Sequence, residues 1–286
     1  MKNGEYIGID LGGTNFNVGR VKDASVIAKT SKGVDITISE SELLAVLQRS
    51  IDSVFTSEVK GIGIGVPGIL DPVSGIIYDI QNIPAWQEVP LKQILEEKYQ
   101  VPVTLNNDAN CFALGEKKFG KGVKYGNFVG LSIGTGLGMG VIINDQLYSG
   151  VMCGAGEIGM LPYKDSIIEQ YAGSFYFMNH YKKSAKEVHE MAQRNHPQAL
   201  ADFKDFGRHL GEAIKIVLFM YAPEAIILGG SISKAYPFFK ESMETTIATF
   251  AYPKQIENLS IEVSTQPDLP ILGAAALCFE KMLSSS

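Results

Sequence analysis

The length, composition and charge of the chain exclude several classes of protein. Its 286 residues are 45% hydrophobic and 20% charged, with a net charge of -6 at pH 7. These values fit one large or two medium soluble globular domains. Because nucleic-acid surfaces are basic, the acidic balance argues against a nucleic-acid partner, and no apolar run approaches the length of a membrane span. We therefore expect a soluble protein that binds neither nucleic acid nor membranes.

The cysteines and the amino terminus indicate a cellular compartment. Cys111, Cys153 and Cys278 are odd in number and lack Cys-x-x-Cys spacing, which argues against a disulfide framework and against a thiolate metal site. The chain reaches a strand-like run by Tyr6 without the charged and apolar regions of a signal peptide. These features predict a cytoplasmic protein.

The first part of the chain predicts strands and helices of an α/β protein. The apolar run from Tyr6 to Leu11 leads through Gly12-Gly13-Thr14 into an alternating pattern over 18–21, which is typical of a β-hairpin with a glycine-rich turn. A strand over 25–29 is followed by apolar residues at helical spacing that begin after Ser39 or Ser41 and end near residue 57. Further predicted elements are a strand over 59–66, an extended segment over 75–80, a loop over 82–86 and a helix over 90–99.

Polar residues follow the next predicted strand, which covers residues 101–105. Asn106, Asn107 and Asp108 stand between this strand and a predicted helix over 109–118. In open α/β sheets, ligands bind at the carboxyl ends of strands, so Asp108 is a candidate catalytic base. The alternative is that Asp108 caps the helix, because Asp and Asn are preferred at that position.

The second part of the chain repeats a pattern of the first part. Residues 127–150 predict two or three antiparallel strands, and within them residues 131–136 align with residues 9–14 as an apolar strand that enters a Gly/Thr-rich turn. One supersecondary unit therefore occurs twice. The remaining predicted elements are helices over 166–181, 185–193 and 196–221, a strand over 225–228, a helix over 237–250, a strand over 259–263 and a helix over 272–283.

Three glycine-rich turns follow predicted strands. They are Gly12-Gly13-Thr14, Gly134-Thr135-Gly136 and Gly229-Gly230-Ser231. Without a Cβ, several backbone N–H groups can surround an anion, and three such turns favour a nucleotide held between two similar domains, although a single one is typical of an ordinary tight turn. Asp10, just before the first turn, could hold Mg²⁺ through water beside the phosphates; the alternative is a solvated aspartate at a strand end.

Two familiar nucleotide motifs are rejected. Residues 115–122 have the glycine and lysine spacing of a P-loop, but they lack its Ser/Thr and begin in a predicted helix. Gly61-x-Gly63-x-Gly65 lies inside a predicted strand and lacks the full dinucleotide-binding spacing. The four histidines lie in helices predicted to be exposed, show no metal-ligand spacing, and receive no role.

Several motifs, in chain order, resemble the signatures of the ROK family, which groups bacterial sugar kinases, repressors and related proteins. The resemblance runs to residues 228–231 and 272–275 and covers nearly the whole chain. The motifs are Gly8-Ile9-Asp10-Leu11-Gly12-Gly13-Thr14, Gly63-Ile64-Gly65-Val66-Pro67-Gly68, Asn107-Asp108-Ala109-Asn110 with Gly115-Glu116, Ile133-Gly134-Thr135-Gly136-Leu137-Gly138 and Gly154-Ala155-Gly156-Glu157-Ile158-Gly159.

The resemblance implies the hexokinase/actin-like ATPase fold of the ribonuclease H-like type. Two duplicated α/β domains would close on ATP and a sugar in the cleft between them. We place the N-terminal domain at residues 1–108 plus 272–286 and the C-terminal domain at residues 109–271. The implied cofactors are ATP and Mg²⁺, and the implied assembly is a homodimer.

The resemblance also implies roles for individual residues. Asp108 would take the proton from the sugar hydroxyl, and Asn107 would bind another hydroxyl. Further sugar-binding residues would be Asn82, Glu157 and Glu169, and the nucleotide-binding residues would be Asp10, Gly12, Gly13, Thr14, Gly134, Thr135, Gly136, Gly229 and Gly230. Trp86, after Asn82, could wall the sugar pocket or belong to the core.

The chain departs from the family pattern in two places. ROK kinases usually carry a histidine where Met160 stands, and a cysteine-rich zinc loop before the glutamate equated with Glu169. The segment between Met160 and Glu169 contains no cysteine or histidine. We expect no stoichiometric zinc, a loop held instead by apolar packing, and an altered contact to the sugar.

The leading functional hypothesis is ATP-dependent phosphorylation of a hexose, either glucose or a related sugar such as an N-acetylhexosamine. A repressor would need a DNA-binding helix-turn-helix before the first strand, and seven residues precede Gly8. The other alternative is a sugar-binding sensor without catalysis, which the change at Met160 suggests. The presence of both Asp10 and Asp108 argues against a sensor, because binding alone requires no base.

Overall fold

The computed structural model describes residues 4–12, 15–35, 37–78 and 83–283. The helices are α1 (Glu40–Asp52), α2 (Leu91–Tyr99), α3 (Asp108–Phe119), α4 (Glu169–Ala172), α5 (Phe175–Tyr181), α6 (Ala185–Gln193), α7 (Pro197–Tyr221), α8 (Tyr236–Ile247), α9 (Pro253–Glu257) and α10 (Leu269–Leu283). The strands are β1 (Glu5–Leu11), β2 (Asn15–Lys22), β3 (Ser25–Gly33), β4 (Val59–Val66), β5 (Ile69–Asp71), β6 (Ile76–Tyr78), β7 (Glu88–Val89), β8 (Val103–Asn107), β9 (Phe128–Ile133), β10 (Leu137–Ile143), β11 (Gln146–Leu147), β12 (Pro162–Tyr163), β13 (Ser166–Ile167), β14 (Ala225–Gly229) and β15 (Ser260–Val263).

Two five-stranded sheets share one topology. Their strand orders are β3-β2-β1-β4-β8 and β11-β10-β9-β14-β15. In each sheet the first three strands are antiparallel neighbours and the last three are parallel. Leu11 pairs with Phe16 across the first glycine turn, as Ile133 pairs with Leu137 across the second. The predicted fold class and the duplication of one unit are confirmed.

Most predicted elements are present, and the segment over 166–181 is the main correction. The prediction of one helix there is wrong, because Ser166 and Ile167 belong to a hairpin with β12. Gly173 then separates α4 from α5 in an extended conformation with φ -126° and ψ -173°. A Cβ on Gly173 would lie 2.8 Å from the Glu169 carbonyl oxygen, so this extended conformation leaves no room for a side chain at the break between the two helices.

Helix α10 lies directly on the first sheet because glycines face it. A Cβ on Gly8 would be 1.9 Å from the carbonyl oxygen of Ile271, and one on Gly63 would be 1.8 Å from that of Ala274. Real Cβ atoms do not approach so closely, so these glycines are required by packing. This supports the rejection of a dinucleotide-binding role for Gly61-x-Gly63-x-Gly65.

Helix α3 connects the two sheets. It begins at the end of β8 and crosses α10 where a Cβ on Gly273 would lie 1.8 Å from the Cys111 carbonyl oxygen. Its first turns rest on the second sheet, where a Cβ on Gly140 would lie 2.4 Å from the Ala109 carbonyl oxygen. The start of α3, with Asp108 as its first residue, is therefore fixed by contacts to both sheets.

Each sheet has its own hydrophobic core. Trp86 is fully buried in the first core and stacks on Phe16, with ring centroids 6.1 Å apart. The core alternative for Trp86 is therefore correct. All three cysteines are buried and free. Within the described ranges, no helix is long and apolar enough to span a membrane. The proposed domain bounds stay a prediction.

Candidate functional site

The carboxyl ends of the parallel strands carry the candidate site. Strands β1, β4 and β8 run in the same direction in the first sheet and bring Asp10 and Asn107 to one edge. Strands β9 and β14 are parallel in the second sheet, so the turns that follow Ile133 and Gly229 share the corresponding edge. This is the location at which open α/β sheets bind ligands.

Asn107, and not Asp108, caps helix α3. The Asn107 Oδ1 accepts from the backbone N–H of Ala109 at 2.9 Å and of Asn110 at 3.3 Å. Its Nδ2 donates to the Gly68 carbonyl at 3.2 Å. The reading of Asp108 as the N-cap is therefore wrong, and Asn107 has one remaining Nδ2 hydrogen for a ligand.

Asp108 is a strongly perturbed carboxylate. Burial, followed by the negative charges of Asp10 and Glu157, raises its pKa from an ordinary 3.8 to about 6, against a hydrogen bond from the Ala109 N–H that lowers it. A helix N-terminus normally favours a carboxylate, so burial and the neighbouring charges outweigh the helix here. A base with a pKa near 6 is ionised at neutral pH and holds a proton better than an ordinary aspartate does.

Asp10 is oriented from the neighbouring strand. Asn17, opposite it on β2, donates from Nδ2 to Asp10 Oδ2 at 3.1 Å, and Ser31 on β3 donates to Asn17 Oδ1 at 2.8 Å. Burial raises the pKa of Asp10, while the Asn17 hydrogen bond and the charge of Lys29 lower it. The side chain is held in place before any ligand binds.

The two glutamates flank a short segment of the second domain. Glu157 is exposed, and partial desolvation together with the charge of Glu169 raises its pKa. Glu169 begins α4, and burial raises its pKa against a hydrogen bond from the Leu137 N–H. A Cβ on Gly136 would be 2.3 Å from Glu169 Oε2, so this carboxylate lies against the 134–136 turn. One predicted sugar residue thus contacts a predicted nucleotide turn.

Hydrogen bonds and close packing within the glycine-rich turns account for several of these glycines without a ligand. Gly12 N–H donates to the Asn15 carbonyl at 2.9 Å, and Gly134 N–H donates to the Gly136 carbonyl at 3.0 Å, so these two amides are used within the turns. Gly230 has φ +80°, and a Cβ there would lie 2.3 Å from the Ile133 carbonyl oxygen. A role in nucleotide binding for Gly12, Gly134, Thr135, Gly136, Gly229 and Gly230 stays a prediction, and Gly13, Thr14 and Asn82 lie outside the described residues.

Two buried polar features were missed from the sequence. Asn106 Nδ2 donates to Ser149 Oγ at 2.9 Å, and Asn110 Nδ2 donates to Asn106 Oδ1 at 2.9 Å, which ties the end of β8 to the loop before Glu157. The prediction that every histidine is exposed is wrong for His209, which is 7% exposed. The spacing of Phe206 and His209 on one face of α7 was the available signal.

No group of three or more ligating side chains that could hold a metal ion occurs in the part of the chain that the structure describes. Asp10 and Asp108 lie close enough for the charge of one to raise the pKa of the other. Hard oxygen ligands of this kind suit Mg²⁺ carried by a nucleotide, because such Mg²⁺ keeps most of its waters and needs few protein ligands. The expected absence of zinc stays a prediction.

Comparison with known proteins agrees with this arrangement. Residues 6–281 match the family model described as "ROK family". The chain belongs to the ROK family. It is 29% identical to a glucokinase of Thermotoga maritima, over 97% of this chain and 98% of that protein.

Xylose repressors have a similar percentage of identical residues over a smaller part of their length. The chain is 31% identical to a xylose repressor of Caldicellulosiruptor bescii over 79% of its own length, and the match spans 64% of that repressor. A ROK-family glucokinase from Streptomyces griseus, solved with glucose and AMPPNP, has the same fold, with a TM-score of 0.84, 22% identity and coverage of 96% of this chain and 99% of that one. Relatives of this ROK chain thus include both kinases and regulators.

Proposed function

We propose that this ROK-family protein transfers the γ-phosphoryl group of ATP to a hydroxyl of a hexose, either glucose or a related sugar such as an N-acetylhexosamine. The observation that carries the proposal is Asp108. Its carboxylate follows a strand end and has a pKa near 6, raised by burial and by the charges of Asp10 and Glu157, while the neighbouring Asn107 caps the helix. Because Asn107 and not Asp108 is the helix cap, the structure leaves the Asp108 carboxylate available as a base, which supports the proposal.

In this proposal Asp108 accepts the proton of the attacking sugar hydroxyl. Because phosphoryl transfer has a loose transition state, the proton can leave late and positioning carries most of the catalysis. Asn107, Glu157, Glu169 and Asn82 would bind the other hydroxyls, since carboxylates and amides pair with a polyol through several hydrogen bonds. A bound Mg²⁺ would neutralise phosphate charge, and Asp10 would hold it through water beside the glycine turns.

The relatives support this proposal without deciding it. The T. maritima glucokinase matches nearly the whole chain, and the S. griseus structure was solved with a sugar and an ATP analogue. The repressor relatives favour a second candidate, a sugar-binding sensor that does not transfer phosphate. A homodimer is proposed from the family resemblance alone.

A substrate panel distinguishes the two candidates. Hexoses, N-acetylhexosamines and ketoses are each incubated with MgATP, and ADP release is followed alongside calorimetric binding of each sugar. We expect one sugar class to accelerate ADP release far above the ATPase background. A sugar that binds tightly while no member of the panel accelerates ADP release would support the sensor.

Closure of two domains on two ligands predicts coupled binding. If sugar and nucleotide both favour the closed form, each should tighten the other by about 1 to 3 kcal/mol. Titration of the preferred sugar in the presence and absence of a non-hydrolysable ATP analogue with Mg²⁺ measures this coupling. Identical sugar affinities in the two titrations would show that the domains do not close cooperatively.

A further inference from the structure

The segment between Glu157 and Glu169 folds as a β-hairpin. Pro162 pairs with Ile167 and Tyr163 with Ser166, and Ile168 N–H donates to the Leu161 carbonyl at 3.0 Å. Glu169, one residue beyond the hairpin, is the first residue of α4. The position of this hairpin (residues 162–167) therefore determines where the Glu169 carboxylate lies.

His209 contacts the hairpin through both ring nitrogens. Its Nδ1 is 3.1 Å from Tyr163 Oη, and its Nε2 is 3.5 Å from Lys164 Nζ. Lys164 Nζ can only donate to Nε2, whereas Asp205 Oδ2, 3.6 Å from the same nitrogen, can only accept, so Nδ1 bonds to the Tyr163 hydroxyl as donor in one tautomer and as acceptor in the other. His209 thus contacts two consecutive hairpin residues.

Tyr171 extends the same cluster to the helix that carries Glu169. Its ring centroid is 5.0 Å from that of His209 and 5.3 Å from that of Tyr163, and Lys164 Nζ lies 5.0 Å from the Tyr171 centroid. The Tyr171 hydroxyl also donates to Asp165 in the hairpin turn. Since Tyr171 and Glu169 share the short helix α4, contacts that fix one residue fix the other.

Charged and titratable groups from every neighbouring element face His209. These are Tyr163 and Lys164 of the hairpin, Tyr171 of α4, Tyr176 and His180 of α5, and Asp205 of α7. Burial lowers the pKa of His209, and Lys164 lowers it further, while Asp205 raises it. The surroundings of His209 therefore favour the neutral imidazole.

We propose that His209 is a positioning residue, which fixes Glu169 for sugar binding through Tyr163 and the hairpin. This rests on the proposed function, in which Glu169 binds a sugar hydroxyl. It replaces the expectation of a loop held by apolar packing alone. His209 itself contacts no reacting atom; it acts through the hairpin.

The test uses substitutions that separate hydrogen bonding from packing. His209→Phe keeps a ring and removes both hydrogen bonds, Tyr163→Phe removes one hydroxyl, and His209→Asn retains an amide near the position of Nδ1. We expect the first two to raise the sugar KM about tenfold with kcat nearly unchanged, as the loss of one ordered hydrogen-bonding contact predicts. His209→Asn should restore most of the affinity.

A matched control comes from the same aromatic cluster. Tyr181→Phe also removes a hydroxyl group from this aromatic cluster. The Tyr181 hydroxyl lies 3.2 Å from Tyr176 Oη, and within the described residues it makes no hydrogen bond to the hairpin. Tyr181→Phe should leave the sugar KM unchanged. An equal rise in KM for Tyr181→Phe would show that any damage to the cluster matters, and the specific role of His209 would be overturned.

Sugar affinity in a double variant and amide hydrogen exchange test whether His209 acts through Glu169 and the hairpin. In a Glu169→Gln background, His209→Phe should cause no further loss of sugar affinity, whereas additive losses would mean that His209 does not act through Glu169. Hydrogen exchange of the Ile168 amide should become faster in His209→Phe and not in Tyr181→Phe. Unchanged exchange of the Ile168 amide in His209→Phe would overturn the positioning role of His209. This exchange measurement does not depend on activity, whereas a wild-type protein that phosphorylates no sugar would contradict the proposed function.

Discussion

Replacing Asp108 by Asn should lower turnover by about 10² to 10⁴ while the fold and much of the sugar affinity remain. The amide keeps the shape of the side chain and removes the group that accepts the proton. Asn107 supplies the helix cap, and the Oδ1 of an asparagine at position 108 can still accept from the Ala109 N–H, so no hydrogen bond at the start of the helix is lost. Steady-state kinetics with the preferred sugar measure the change, and near-normal turnover would remove Asp108 from the mechanism.

The same substitution should stabilise the protein at alkaline pH. The folded pKa of Asp108, about 6, lies above its ordinary value of 3.8, so ionisation costs free energy in the folded state. This cost is absent below the ordinary value, grows as the pH rises and is complete above the folded pKa, where it reaches about 1 to 3 kcal/mol. Asp108→Asn avoids it.

Urea unfolding at pH 4 and at pH 8 tests this sign. The variant should match the wild type near pH 4 and exceed its free energy of unfolding at pH 8. Asp23→Asn is a suitable control, because Asp23 is exposed and its positive φ of 47° suits asparagine. Destabilisation of Asp108→Asn at pH 8 would show that the carboxylate serves the fold.

Gly63→Ala should destabilise the protein by at least about 3 kcal/mol, which is at the upper end for one added methyl group. The new Cβ would lie 1.8 Å from the Ala274 carbonyl oxygen, and a helix backbone cannot give way as a flexible side chain can. Helix α10 would have to move away from β4. Because α10 also crosses α3 at Gly273, that shift would reach Asp108 and lower activity as well.

Gly33→Ala is the matched control for this prediction. Gly33 also lies in a strand of the first sheet, but a Cβ there meets no atom within 4 Å. Its melting temperature should stay close to that of the wild type, whereas that of Gly63→Ala should fall sharply. Equal effects of the two substitutions would mean that the contact between α10 and the sheet is not as close as described.

Sequence periodicity predicted the sheets and the repeat because it reports local burial. The alternating run after Leu11, its counterpart after Ile133 and the polar residues after β8 all lie where the pattern indicated. Asn107 and Asp108, the two possible caps of helix α3, are adjacent in the sequence. Both types suit that position, so only the backbone geometry could decide it.

The contacts of His209 could not be predicted from the sequence because they join distant parts of the chain. Its hydrogen-bond partner Tyr163 is 46 residues away in sequence, and no local pattern pairs them. The hairpin was also missed, because its strands have two residues each and their apolar residues fit a helix equally well. Trp86 was ambiguous since a large aromatic residue suits both a core and a sugar pocket.

The pH dependence of kcat/KM for the preferred sugar reports the pKa of the base in the free enzyme and so tests the role of Asp108. If Asp108 is the base, kcat/KM should rise with pH and level off above about 6, where the carboxylate is ionised. Removing a neighbouring negative charge by Glu157→Gln should move that rise to lower pH, and the residual activity of Asp108→Asn should not show it. A wild-type profile that is flat through this range, or a rise that persists unchanged in Asp108→Asn, would contradict the assignment of Asp108 as the base.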